Sequence, residues 1–167
     1  MDKIGTARQM NGNLGYNNVT FFVADNEKTH LTDERFDVVI CNYFINLLPQ
    51  RTYILQEFDR LLKPTGHIVL ADFFTNKSLT TPLNSILNVK YLHSVGIDII
   101  ANQYAVLRDN QYSKMINDTG FSSMTIIDTT EISNEYGELM MYFEQQDLEE
   151  IEKLDIRFYK KIIRINK

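Results

Sequence analysis

Residues 36–74 read FDVVICNYFINLLPQRTYILQEFDRLLKPTGHIVLADFF, and the fold is decided here. Two apolar runs, Asp37-Val38-Val39-Ile40-Cys41 and His67-Ile68-Val69-Leu70-Ala71, flank a helix-period segment. Runs that are apolar on both faces suit strands of a parallel sheet covered by helices on both sides. Parallel neighbours need a long crossover, and the intervening helix supplies it. The first run ends in Cys41-Asn42-Tyr43 and the second in Asp72. Ligands of open α/β sheets sit beyond the carboxyl ends of the strands, so these residues are the first candidates for chemistry.

Within this stretch Pro49 is placed to open the helix, because its missing amide costs nothing in a first turn. Ile54, Phe58, Leu61 and Leu62 share one helical face. Lys63-Pro64-Thr65-Gly66 stops the helix and turns the chain. Upstream, Ala7, Met10 and Leu14 recur at roughly helical spacing, with Gly15 as the stop. Residues 19–24 (VTFFVA) read as a strand ending at Asp25, and residues 26–35 as a polar loop. Downstream, residues 75–82 read as a loop and residues 83–92 as a helix. Leu83, Ile86, Leu87 and Tyr91 lie along one side of it, with Lys90 beside the stripe. Asp109 is an N-cap for a further helix with Tyr112, Met115 and Ile116 inward and Gly120 as the stop. Residues 124–127 read as a strand, residues 131–153 as acidic and partly helical, and residues 158–165 as a closing strand with interspersed lysines.

The 167 residues suit one domain with a real core, and 44% hydrophobic against 23% charged is a soluble, globular balance. A net charge of -5 argues against a surface that coats nucleic acid. Lys160, Lys161, Arg164 and Lys167 therefore read as a solvated strand face rather than a nucleic-acid patch. No apolar run reaches the roughly 18 residues of a membrane span. The N-terminus lacks the apolar core of a signal peptide. The single cysteine, Cys41, excludes an internal disulfide framework and makes the cytoplasm the expected location. His30, His67 and His93 show no metal-ligand spacing, so no metal site is expected. Tyr91, Tyr104 and Tyr112 either wall a substrate pocket or fill the core.

Taken together, Gly15-Tyr16-Asn17-Asn18-Val19, Phe36 through Asn42, Leu61-Leu62-Lys63-Pro64-Thr65-Gly66-His67 and Asp72 resemble a class I S-adenosylmethionine-dependent methyltransferase. The likeness is to the small-molecule branch that includes the ubiquinone/menaquinone and arsenite methyltransferases. Cys41-Asn42-Tyr43-Phe44-Ile45-Asn46-Leu47 is most similar to the arsenite group, and residues 111–121 match a late helix of these enzymes. The likeness covers about residues 1–130. It implies an α/β, Rossmann-like fold with a mostly parallel sheet and an antiparallel C-terminal strand. It also implies S-adenosyl-L-methionine as cofactor and a small-molecule substrate. By resemblance Asp25 accepts a hydrogen bond from the adenine amine, and Asn42 and Tyr43 line the methionine half of the cofactor. Asp72 faces the substrate, as a base or as an orienting group. Each has a plainer reading as well: Asp25 a turn residue, Asn42 a turn or cap, Asp72 a solvated strand end.

In that family a first strand, a glycine-rich turn and a second strand ending in an acidic residue come before the material matched here. No GxGxG occurs among the 167 residues. The chain is therefore expected to be the C-terminal two-thirds of the family fold, one truncated domain over residues 1–167, with cofactor affinity weak or lost in isolation. The strand at 37–41 is expected to present an unpaired edge. Either the 19–24 strand pairs with it directly or a second copy covers it as a homodimer; a complementing N-terminal half is the other expected partner. The positions near Tyr43, Ile45 and Asn102, where arsenite enzymes carry metalloid-binding cysteines, hold none, so arsenic is not the expected substrate. The alternative reading is a non-catalytic remnant or assembly module without cofactor binding. Methyl transfer from a sulfonium needs chiefly alignment and desolvation, so no catalytic triad is expected.

Overall fold

The computed structural model describes residues 3–48, 50–87, 106–133 and 140–167. Pro49, Lys90, Tyr91, His93, Asn102 and Tyr104 lie outside the described residues. In chain order the elements are α1 (Lys3–Leu14), β1 (Phe36–Asn42), α2 (Arg51–Leu61), β2 (Leu62–Thr75), α3 (Thr81–Ile86), α4 (Asp109–Asp118), β3 (Ser123–Glu131), α5 (Gln145–Lys153) and β4 (Phe158–Asn166). The four strands form one sheet in the order β1-β2-β4-β3. β1 and β2 are parallel, with Val38 opposite His67 and Asn42 opposite Ala71. β4 runs antiparallel to both β2 and β3. The α/β fold, the helical crossover and the antiparallel final strand are as the sequence implies.

The crossover turns back through a bulge rather than a free loop. Phe36 pairs with Leu62, yet the next pair is Val38 with His67, so Lys63-Pro64-Thr65-Gly66 is looped out between them. Pro64 has no N–H to give to a ladder and is tolerated at such a bulge. Gly66 sits where the chain re-enters the strand. A Cβ there would lie 2.9 Å from Leu62 Cδ2, 3.0 Å from Lys63 O and 3.1 Å from Asp37 O. Leu62, expected on the helix face, is instead the first residue of β2 and is fully buried.

Alternation along the strands sorts two faces. Val39, Cys41, Ile68, Leu70, Phe74, Ile163 and Ile165 meet Ile54 and Leu55 of α2 and Tyr112 and Ile116 of α4 in one core cluster. Val38, Ile40 and Ile162 face the other way and are exposed, Ile40 to 69%. A second cluster gathers at the far end of β2, where Phe73 and Phe158 pack with Leu83, Leu87 and Ile151. The acidic 131–153 stretch contains α5, as expected. Asp109 opens α4 as its first helical residue rather than as its cap, and its carboxylate takes Lys161 at 2.6 Å.

One expected element is absent. Residues 19–24 form no strand: the segment has no regular structure and is largely exposed, with Val19, Phe22 and Val23 in water, Val23 to 82%. A single strand cannot satisfy its own amides, and no neighbour among the described residues pairs with it. Its firmest tie is Arg8 of α1, whose guanidinium donates to Phe21 O at 3.0 Å. The expected direct pairing of 19–24 with β1 is therefore not made. Asp25 consequently ends no strand. It sits in a turn, where its carboxylate accepts the Glu27 N–H at 2.9 Å.

Candidate functional site

The carboxyl end of β1 turns sharply. Tyr43 adopts a left-handed φ of 52°, and its N–H donates to Ala71 O at 2.7 Å. Asn42 and Tyr43 are thrown outward by that turn and are exposed. The Asn42 side-chain amide has no hydrogen-bond partner among the described residues. The Tyr43 ring lies 5.0 Å from the Phe73 ring, and Lys160 Nζ stands 5.9 Å from its centroid.

One residue pair further on, the chain dives inward. Residues 45–47 form a short 3-10 turn in which Ile45 and Asn46 are wholly buried. Asn46 closes on Asp72, which is 1% exposed and does not end its strand as expected: it follows the last residue paired with β1, while β2 runs on to Thr75 against β4. Asp72 Oδ2 accepts Asn46 N–H at 3.1 Å and the Tyr112 hydroxyl at 2.9 Å. Asp72 Oδ1 accepts Asn46 Nδ2 at 2.9 Å and Phe73 N–H at 2.8 Å. The same Nδ2 also donates to Phe73 O at 2.8 Å. Arg51, opening α2, donates to Ile45 O and Asn46 O at 3.1 Å and 3.2 Å. Every donor to the carboxylate is neutral. Burial therefore dominates and pushes Asp72 up to about 6, against the pull of its four hydrogen bonds. Burial, with the Asp72 charge, also lifts the Cys41 thiol to about 12, so that it is no thiolate at neutral pH.

The expected residues are thus split in three. Asn42 and Tyr43 are exposed together at the carboxyl end of β1. Asp72 is near in sequence register but lies beneath the sheet surface, on the face covered by α2 and α4. Asp25 lines a separate recess of about 450 Å³ with Tyr53, Gln56, Glu57 and Arg60, to which neither Asn42 nor Tyr43 contributes. Beside it, Glu57 is held down to about 2, chiefly by Arg60 hydrogen bonds, and accepts Thr29 Oγ1 at 2.6 Å. Arg60 also pairs with Asp33, so that group fastens the 29–35 loop to α2. Tyr112, expected either as a pocket wall or as core, is core. The four nominally basic tail residues are not all solvated: Lys161 is spent on Asp109, and Lys167 Nζ donates to Asp59 O and Leu62 O.

Asn46 was not among the expected site residues. Its signal was a lone amide inside the apolar run Phe44-Ile45-Asn46-Leu47-Leu48, since a polar side chain in such a run must find partners inside. No helix of the described residues is long and apolar enough to cross a membrane.

Comparison with known proteins places this geometry. The chain is 36% identical over 73 residues to an arsenite methyltransferase of Aquipseudomonas alcaligenes, covering 42% of this chain and 21% of that protein. It is 26% identical over 146 residues to phosphoethanolamine N-methyltransferase 3 of Arabidopsis thaliana, covering 80% of this chain and 27% of that one. In structure it matches an arsenic(III) S-adenosylmethionine methyltransferase of Chlamydomonas reinhardtii with a TM-score of 0.69 at 24% identity, covering 94% of this chain and 48% of that one. The chain thus spans well under two-thirds of these relatives. A family model described as a methyltransferase domain matches residues 1–142. With most of its length inside that match, the chain belongs to the methyltransferase-domain family.

Proposed function

We propose that this chain carries the carboxyl-side part of an S-adenosylmethionine-dependent methyltransferase that acts on a small molecule, residues 1–167 forming one domain. The observation that carries the reading is the turn after β1, which holds an unpartnered Asn42 amide and an exposed Tyr43 where open α/β sheets bind ligands. Those two residues fit one wall of a donor site. The glycine-rich turn that would cradle the donor is not among the 167 residues, so the fit is partial. Asp25 has one carboxylate oxygen without a hydrogen bond among the described residues and could offer it to an amine, in its own recess.

When bound, the donor supplies a methyl group activated by its sulfonium. The chain's residues orient and desolvate. Asn42 offers an amide, Tyr43 a ring face, and the buried Asp72 cluster holds the turn on which both stand. Of the two roles expected for Asp72, burial and four donors favour orientation over proton abstraction from a substrate. Relatives include proteins named for arsenite and for phosphoethanolamine. The only cysteine is buried and protonated, so a thiophilic arsenic substrate finds no thiolate pair, and a different small molecule is proposed.

Micromolar binding needs about 8 kcal/mol, and the glycine-rich turn and the acidic residue that holds the ribose hydroxyls would supply a large share of it. Titration of S-adenosylmethionine into the chain, alone and with a supplied N-terminal half bearing the glycine-rich turn, tests the proposal. We expect weak or no heat alone and clear binding in the mixture. No binding in either would favour the remnant reading. The same half, or a second copy of the chain, is proposed to cover the outer edge of β1.

A further inference from the structure

Asp72, Asn46 and Tyr112 come from three elements and close on one another away from water. The Tyr112 oxygen lies 2.9 Å from Asp72 Oδ2 and 3.3 Å from Asn46 Oδ1. Its single hydroxyl hydrogen cannot satisfy both acceptors. The Asn46 amide cannot turn to help, because its nitrogen already donates to Asp72 Oδ1 and Phe73 O. With Asp72 ionised, the hydroxyl points to the carboxylate and Asn46 Oδ1 faces only the hydroxyl's lone pairs. One proton added to Oδ2 closes the pattern. The carboxyl O–H then donates to the Tyr112 oxygen, the Tyr112 O–H donates to Asn46 Oδ1, and Oδ2 still accepts Asn46 N–H. Both patterns use the same neighbouring atoms, and what changes between them is the direction and length of these contacts.

The way outward runs through Phe73. Its N–H and its carbonyl are both held by the cluster, while its ring, on the opposite sheet face, packs on Tyr43. The backbone of Asn46 is also tied to Arg51, so the turn at 43–46 is clamped at both ends.

We propose that Asp72, Asn46 and Tyr112 are positioning residues forming a proton-holding latch, whose two hydrogen-bond patterns differ by one proton and set the turn that carries Tyr43. The ionisable groups around Asp72 are Tyr112 from α4, Cys41 from β1 and Arg51 from α2. Lys161 of β4 is its register partner but is bound to Asp109. The proton exchanges with water, and its uptake falls near pH 6. Any consequence for donor binding rests on the reading of Asn42 and Tyr43 given above. The latch itself is testable with no donor present, so the two ideas fail separately.

The test is NMR on the full chain with carboxyl-labelled aspartate, across roughly pH 4.5 to 8. The Asp72 carboxyl, the Asn46 side-chain amide and the Tyr43 backbone amide are expected to titrate with one common midpoint. Tyr112→Phe keeps the ring and removes the hydroxyl. The ionised form then loses one charge-assisted bond, to Oδ2, and the acid loses two neutral ones, to the Tyr112 oxygen and to Asn46 Oδ1. A bond to charge is worth about twice a neutral one, so the losses nearly cancel and the Asp72 midpoint moves by less than about half a unit. The titration step of the Asn46 side-chain amide shrinks, because the hydroxyl that serves Oδ1 in the acid form is gone. A Tyr43 amide that stays flat while Asp72 titrates overturns the latch, as does an Asp72 carboxyl with no step in this range. If Tyr112→Phe fails to fold, coincidence of the three wild-type midpoints decides.

Discussion

Asp72 is a carboxylate whose surroundings prefer it neutral. Its folded pKa, about 6, stands above its ordinary 3.8 because burial outweighs four neutral donors. The sign follows from linkage. A group that binds its proton more tightly when folded stabilises the fold fully below its unfolded pKa, and that contribution is lost as pH rises through the folded value. Two units amount to about 3 kcal/mol, lost between about pH 4 and pH 6. Glu57 slopes the other way only below its ordinary 4.5, because Arg60 holds it near 2. Asp72→Asn removes the Asp72 slope. It also sets an NH2 group against Asn46 N–H, two donors face to face, and is expected to cost about 1–3 kcal/mol. Urea unfolding of both proteins at several pH values checks this. An unchanged slope between about pH 4 and pH 6 would show that Asp72 does not carry it.

The elements legible in the sequence were those that carry their own partner. β1, α2 and β2 were readable because the two runs pair with each other across a helix, so the whole unit lies within residues 36–74. β4 was readable by alternation, and α4 by its inward stripe of Tyr112, Met115 and Ile116. The 19–24 run carried an equally strong β signal, with Val19, Phe22 and Val23, but propensity alone makes no strand without a neighbour. The candidate site was half legible. Strand ends pointed to Asn42, Tyr43 and Asp72, while the Asn46–Asp72–Tyr112 contact joins residues 26 and 40 positions from Asp72, which no local pattern encodes. At this scale the looped-out Lys63-Pro64-Thr65-Gly66 makes a sharp prediction. Gly66→Ala puts a methyl against Leu62 Cδ2 and two carbonyl oxygens, Lys63 O and Asp37 O. The carbonyls belong to the bulge and to β1 and cannot rotate away as a side chain can. The expected loss is about 1–3 kcal/mol, read as a lower urea midpoint with an unchanged m-value.

At the scale of the whole molecule the sheet has two edge strands of unlike character. β2 and β4 are central, and β3 is one edge, unpaired on its outer side among the described residues, with mostly polar residues beside the exposed Ile126 and Ile127. β1 is different. Its inner side pairs with β2, its outer side pairs with nothing among the described residues, and its Val38 and Ile40 stand in water at 40% and 69% exposure. An apolar strand with free amides is a template for another strand. If a second copy covers it, the chain sediments as a concentration-dependent dimer, and Ile40→Lys returns it to monomer with little loss of stability, because Ile40 has little burial to lose. If the N-terminal half covers it, the chain alone is a monomer, alternate β1 amides exchange quickly, and adding that half slows them. A monomer whose outward β1 amides are already slow would contradict both, since it would require a partner strand from within this chain.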